Sequence, residues 1–113
     1  MSEPVTAIIS RQVKVGFEAE FEAWQEKMSY AASQFPGFQG ITVMRPSNPK
    51  KPQYAIILRF DSYPSLVQWQ DSLIRKQLLA QVEPLSIGET QIQQHRGLAL
   101  WFTLIFGSKA SPF

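Results

Sequence analysis

Gln34-Phe35-Pro36-Gly37-Phe38-Gln39-Gly40 separates two kinds of hydrophobic pattern, and the fold follows from what lies on either side of it. Upstream, Phe17, Phe21, Trp24, Met28, Ala31 or Ala32, and Phe35 recur at spacings of three and four, which places them on one stripe of an α-helix that faces a core. Pro36 cannot continue that helix, and Gly37 can take the left-handed conformation that reverses the chain. Downstream, Ile41-Thr42-Val43-Met44 is short, apolar and rich in β-branched residues, and Pro46 stops it. That segment reads as a strand apolar on both faces.

Working outward, Val5 to Val13 is rich in β-formers and ends in a Lys14-Val15-Gly16 turn that leads into the helix. Pro46-Ser47-Asn48-Pro49-Lys50-Lys51-Pro52 suits neither helix nor ladder and reads as a loop. Gln53 to Phe60 is a third strand, with Ala55-Ile56-Ile57-Leu58 apolar on both faces. Asp61-Ser62 offers an N-cap to a second helix whose face carries Leu66, Trp69, Leu73, Ile74, Gln77 and Leu78 before Pro84 breaks it. Ile87 to Gln94 alternates as a polar strand, and Leu98 to Phe106 is an apolar run between Gly97 and Gly107. The order is β-α-β-β-α-β with an extra C-terminal strand, the pattern of a ferredoxin-like α+β sandwich with helices on one side of the sheet.

Such a sheet has one covered face, yet Ile8 adjoins Ile9, and Ile56, Ile57 and Leu58 are consecutive, so both faces carry large aliphatic groups. Burying one of them stabilises by roughly 1.5 to 3 kcal/mol, and several left bare would be adhesive. The expectation is a homodimer closed sheet to sheet.

At 113 residues the chain is expected to form one domain, with a core over about 5–96 and a C-terminal strand or tail over 97–113. Hydrophobic residues at 44% and charged residues at 18% exclude a disordered polymer. The net charge is only +2 and the basic residues are scattered, which argues against a nucleic-acid partner. No cysteine is present, so disulfides and thiolate chemistry are excluded. Met1-Ser2-Glu3-Pro4 has no basic stretch leading into an apolar run. The expectation is therefore a cytoplasmic protein without a secretory signal. The apolar tail is about ten residues against the roughly 20 that a membrane-spanning helix needs, so no integral membrane segment is expected.

From about Thr6 to His95 the chain resembles the antibiotic biosynthesis monooxygenase family of dimeric α/β barrels. The resemblance is carried by Val13-Lys14-Val15-Gly16, by the Phe35-Pro36-Gly37-Phe38-Gln39-Gly40 turn, and by Phe60-Asp61-Ser62 ahead of Leu66 and Trp69. It implies a dimeric barrel, a small apolar or aromatic ligand, and oxygen insertion into a quinol- or anthrone-like substrate with no metal or flavin cofactor. A second outcome fits the same residues: a homodimeric module of this fold, without catalysis, that binds a small ligand or serves a stress response.

The resemblance also implies site residues. Trp69 corresponds to the tryptophan that haem-degrading relatives hold against their ligand, although an aromatic on an amphipathic helix is also an ordinary core residue. The axial histidine of those relatives falls on Leu79, and their first-strand asparagine on Ile9. An aliphatic side chain cannot ligate iron, so haem degradation is disfavoured and Trp69, Ile9 and Leu79 are expected to line a substrate pocket.

Polar candidates for catalysis are few. His95 is the single histidine and has the chemistry of a general base near neutral pH. Arg59 and Tyr54, like Arg11, lie on strands of largely apolar residues, where an arginine pairs with a carboxylate or meets an anionic ligand. No second histidine or cysteine is available for a zinc site, and the acidic residues have no metal-ligand spacing.

Overall fold

The computed structural model describes residues 3–96. The expected strand Leu98 to Phe106, and the tail 97–113 as a whole, lie outside the described residues. Within them the chain forms β1 (Val5–Val13), α1 (Glu18–Ser33), β2 (Phe38–Met44), β3 (Gln53–Phe60), α2 (Tyr63–Gln70), α3 (Leu73–Val82), a short 3-10 turn (Glu83–Leu85) and β4 (Ser86–Arg96). All pairings are antiparallel and the strand order is β2-β3-β1-β4, the ferredoxin-like α+β arrangement expected from the sequence.

The opening turn behaves as its residues dictate. Gly37 has φ of 87°, and a Cβ there would sit 2.6 Å from Ser65 Oγ, so both conformation and close approach exclude a side chain. Its carbonyl accepts from the Asp61 N–H at 2.8 Å, which fastens the turn to the end of β3. One element differs from expectation: the second helix is two helices. Ser62 caps α2 by accepting from the Ser65 N–H at 3.3 Å. Ser72 then breaks the helical run, donating from Oγ to the Trp69 carbonyl at 2.7 Å and capping α3 by accepting from the Arg75 N–H at 3.3 Å. A serine competes for backbone partners in this way wherever a helix has a choice.

Strand alternation sorts the sheet. Val5, Ala7, Ile9, Arg11 and Val13 face the helices, as do Tyr54, Ile56, Leu58 and Phe60 on β3. They pack against Phe21, Trp24, Met28 and Ala32 of α1, Leu66 and Trp69 of α2, and Leu78 and Val82 of α3. Among the described residues no helix covers the opposite face. There Ile8 and Ile57 are direct cross-strand neighbours and only half-buried, among Thr6, Ser10, Gln12, Gln91 and Gln93. The open face is thus apolar at its centre and polar towards β4.

Candidate active site

A small cavity lies between the inner face of the sheet and the helices. Its apolar walls are Ile9, Ile56 and Leu58 from the central strands, Ile41 and Ile92 from the edges, and Met28 and Trp69 from α1 and α2. Trp24, Gln25, Arg11 and Arg75 complete it. The volume is about 40 Å3, more than the roughly 10–15 Å3 that one water needs and well below a drug-sized site. Met28 is the unbranched, adaptable side chain in this wall.

Each polar group arrives there for a structural reason. Arg11 sits where the β1–β4 register shifts between Ser10 and Gln12, a kind of irregularity that re-aims side chains beside functional sites. Its guanidinium stands 5.2 Å from the Trp24 ring centroid, and Nη1 donates to Thr90 Oγ1 at 3.0 Å. The residue is only 9% exposed, and its Nε has no hydrogen-bond partner among the described residues. Trp24 is itself held by donation from Nε1 to the Leu78 carbonyl at 2.6 Å, which ties α1 to α3. Trp69 is 3% exposed and meets the Phe35 ring edge-on at 5.3 Å. Arg75, half-buried on the first turn of α3, donates from Nη1 to the Gln70 carbonyl at 3.0 Å.

The electrostatics are one-signed. Burial first, and the neighbouring Arg75 second, push the Arg11 pKa down to about 10, so the group is a cation at neutral pH. Burial also lowers Arg75, with Asp71 acting the other way. Among the described residues no aspartate or glutamate lines the cavity. Arg11 does not form the carboxylate pair that a strand arginine usually finds: the ion pair observed among the described residues joins Arg45 to Glu22.

Of the expected pocket residues, Ile9 and Trp69 meet in the cavity, while Leu79 lies on the far side of Arg11 with Val82, Gly88 and Thr90. None of the polar candidates for catalysis lines it. Tyr54 points inward but is buried beside Phe21, with Oη donating to Glu22 Oε2 at 2.7 Å. Burial first, then that bond, raise its pKa. Arg59 and His95 flank Thr6 in one row across β3, β1 and β4, on the open face of the sheet. Arg75 and Gln25 were not singled out in the sequence. Their signal was spacing: Arg75 shares an i, i+3, i+7 stripe with Leu78 and Val82, and Gln25 stands between Phe21 and Met28 on the buried stripe of α1.

Comparison with known proteins places this geometry. No family model matches the chain. An uncharacterized protein of Synechococcus elongatus is 32% identical over 98 residues, covering 87% of this chain and 47% of that protein, so the chain spans about half the length of the curated relative it matches. Among solved structures, SnoaB, a cofactor-independent oxygenase from Streptomyces nogalater, superposes with a TM-score of 0.74 at 18% identity, over 83% of this chain and 92% of that one. A candidate antibiotic biosynthesis monooxygenase from Nitrosomonas europaea gives 0.77 at 10% identity, over 88% and 94%. The chain has the fold of the antibiotic biosynthesis monooxygenases.

In a monooxygenase-type fold of this chain's composition, the cavity has two chemical capacities. Trp24, Trp69 and the isoleucines offer an aromatic and aliphatic slot, and two guanidiniums offer charge-assisted donors to an oxygen anion. Among the described residues no three acidic or histidine side chains are grouped to hold a metal ion, and no helix is long and apolar enough to cross a membrane.

Proposed function

We propose that this chain is an oxygenase of the antibiotic biosynthesis monooxygenase type that converts a small phenol to a quinone without metal or flavin, acting as a homodimer joined through the open sheet face. The observation that carries this reading is the convergence of Trp69, Trp24, Arg11 and Arg75 on one cavity. A phenolate gives an electron to dioxygen directly, and two adjacent cations favour the phenolate over the phenol. The substrate thus ionises without a protein base, and its proton passes to solvent. One oxygen atom then enters the ring carbon para to the phenolate. The second leaves as water with the hydrogen lost from that carbon and the hydrogen of the hydroxyl, which balances phenol and dioxygen against quinone and water. The walls exclude water from the reactive intermediates. At about 40 Å3 the cavity is smaller than one aromatic ring, so even a single ring enters only as the walls, Met28 first, give way, and an anthrone would demand far more.

The Trp69→Phe variant tests this reading. Oxygen uptake with electron-rich phenols is expected in the wild type and at least severalfold slower in the variant, with a stability loss of about 1 to 2 kcal/mol from the smaller ring. Turnover unchanged by the substitution would remove Trp69 from the site. Light scattering at micromolar concentration is expected to give twice the chain mass, and a stable monomer would sink the dimer. The rival, a binding module without catalysis, is favoured by one observation: among the described residues no histidine or carboxylate lines the cavity. It gains if phenols bind and no oxygen is consumed.

A further inference from the structure

The cavity carries more positive charge than a single phenolate requires. Arg11 is held 9% exposed, beside a second guanidinium that disfavours its charge and, among the described residues, with no carboxylate lining the space. Its Nη1 is engaged by Thr90, yet its Nε is buried and unpartnered among the described residues. A buried donor on a cation is costly to leave unmade, and a core built for stability alone would put an aliphatic side chain at this position of β1. Asp71 acts on Arg75 and does not line the cavity. The Arg11 guanidinium lies 5.2 Å from the Trp24 ring centroid, and with Arg75 and Trp69 the two put planar, multi-donor cations and aromatic surface in one space.

Resting on the oxygenase reading for its ring chemistry, we infer that the substrate is a hydroxylated aromatic carboxylate, its carboxylate held by the Arg11 and Arg75 guanidiniums and its ring lying in the slot beside Trp69. Charge matching supports this class. Two guanidiniums balance one carboxylate and the phenolate formed on the same ring, whereas a neutral quinol would leave one cation buried and unanswered. Geometry favours carboxylate over a lone oxygen anion, because a guanidinium presents donors in a planar fork that two coplanar oxygens satisfy together. The inference makes Arg11 and Arg75 the determinants of which phenol is taken.

A matched pair of ligands tests it: 3-hydroxybenzoate and its neutral isostere 3-hydroxybenzamide, both with an open ring position para to the hydroxyl. Calorimetric titration of the wild-type protein at low salt is expected to give at least tenfold tighter binding of the carboxylate. Arg75→Gln, at a half-buried position, is expected to bring the two affinities within about twofold. Arg11→Lys, which keeps the charge and loses the fork, is expected to weaken the carboxylate and leave the amide unchanged. Equal affinities in the wild type, binding of neither ligand, or a preference that survives Arg75→Gln would each overturn the inference. Oxygen uptake separates its failure from that of the oxygenase reading. Turnover of both ligands at equal affinity removes the carboxylate requirement and keeps the oxygenase, whereas a strong carboxylate preference with no oxygen consumed keeps the anion pocket and ends the oxygenase.

Discussion

Two arginines on neighbouring parts of the molecule are treated in opposite ways. Arg45, just past β2, has a side chain 76% exposed and nevertheless holds a carboxylate, Glu22, at 2.9 Å; Nε and Nη2 both donate to the same oxygen. Arg11, on the inner face of the sheet, is 9% exposed and has no carboxylate partner among the described residues. Solvent makes the first pair worth little, while burial makes the second arrangement expensive. A chain shaped by stability alone would reverse this assignment. On the proposed reading, the Arg45–Glu22–Tyr54 side of the inner face is structural and the Arg11–Arg75 side is functional. Phe21 stands between them, its ring 5.6 Å from Trp24 and 4.5 Å from Tyr54.

That position gives the largest expected effect. Phe21 is 0% exposed, and truncating a buried phenylalanine costs about 3 to 5 kcal/mol. Phe21→Ala is therefore expected to lower the denaturation midpoint severely and loosen both regions together, the Trp24 wall of the cavity and the Tyr54 hydrogen bond. If binding by the cavity were unaffected in a variant so destabilised, the two regions would be mechanically independent and the comparison would fail.

Arg11→Met comes next and has the opposite sign. An unbranched apolar side chain of similar length removes the buried cation while keeping the packing on Trp24, so urea denaturation is expected to show stability equal to the wild type or up to about 2 kcal/mol higher. Affinity for an anionic ligand is lost in the same variant. A loss of stability of comparable size would instead make Arg11 a structural residue held by Thr90, and would dissolve the contrast with Arg45.

Much of this was legible in the sequence, for reasons that differ between elements. The α1 stripe and the Pro36-Gly37 stop were plain because burial and backbone sterics both act locally there, and β1 is observed at the expected bounds, Val5–Val13. The division of the second helix was hidden because Ser72 lies among residues of good helical spacing, and only its competition for the Trp69 carbonyl and the Arg75 N–H breaks the run. Trp69 and Ile9 could be brought together through a family resemblance. Arg75 could not, since its approach to Arg11 depends on how α3 is re-aimed after that break. Of the polar residues that drew attention by chemical type, Arg11 lines the cavity, while His95 and Arg59 lie on the sheet face away from it. Residue type says what a side chain can do, and strand parity decides where it can do it.

The smallest expected effect tests the structural side. Glu22 accepts from Arg45 and from the Tyr54 hydroxyl at 2.7 Å, and these two bonds, Arg45 first, hold its carboxyl below its ordinary value of 4.5. A carboxylate with a depressed folded-state pKa contributes stability that is present above the unfolded value and lost as pH falls through the folded one. Glu22→Gln keeps an acceptor for the buried phenol, so Tyr54 is not stranded, and only the charge-assisted part of each bond disappears. Because Glu22 and Arg45 meet solvent, the expected loss at neutral pH is at most about 1 kcal/mol. It is expected to shrink as pH falls through the folded-state value and to vanish below it, where the wild-type carboxylate is protonated and the two proteins carry nearly the same group. Denaturation curves at neutral pH and stepwise into acid make the comparison. A difference that persists undiminished in acid would mean that Glu22 acts through shape and packing, and the exposed arginine would then have no more claim to a paired role than the buried one.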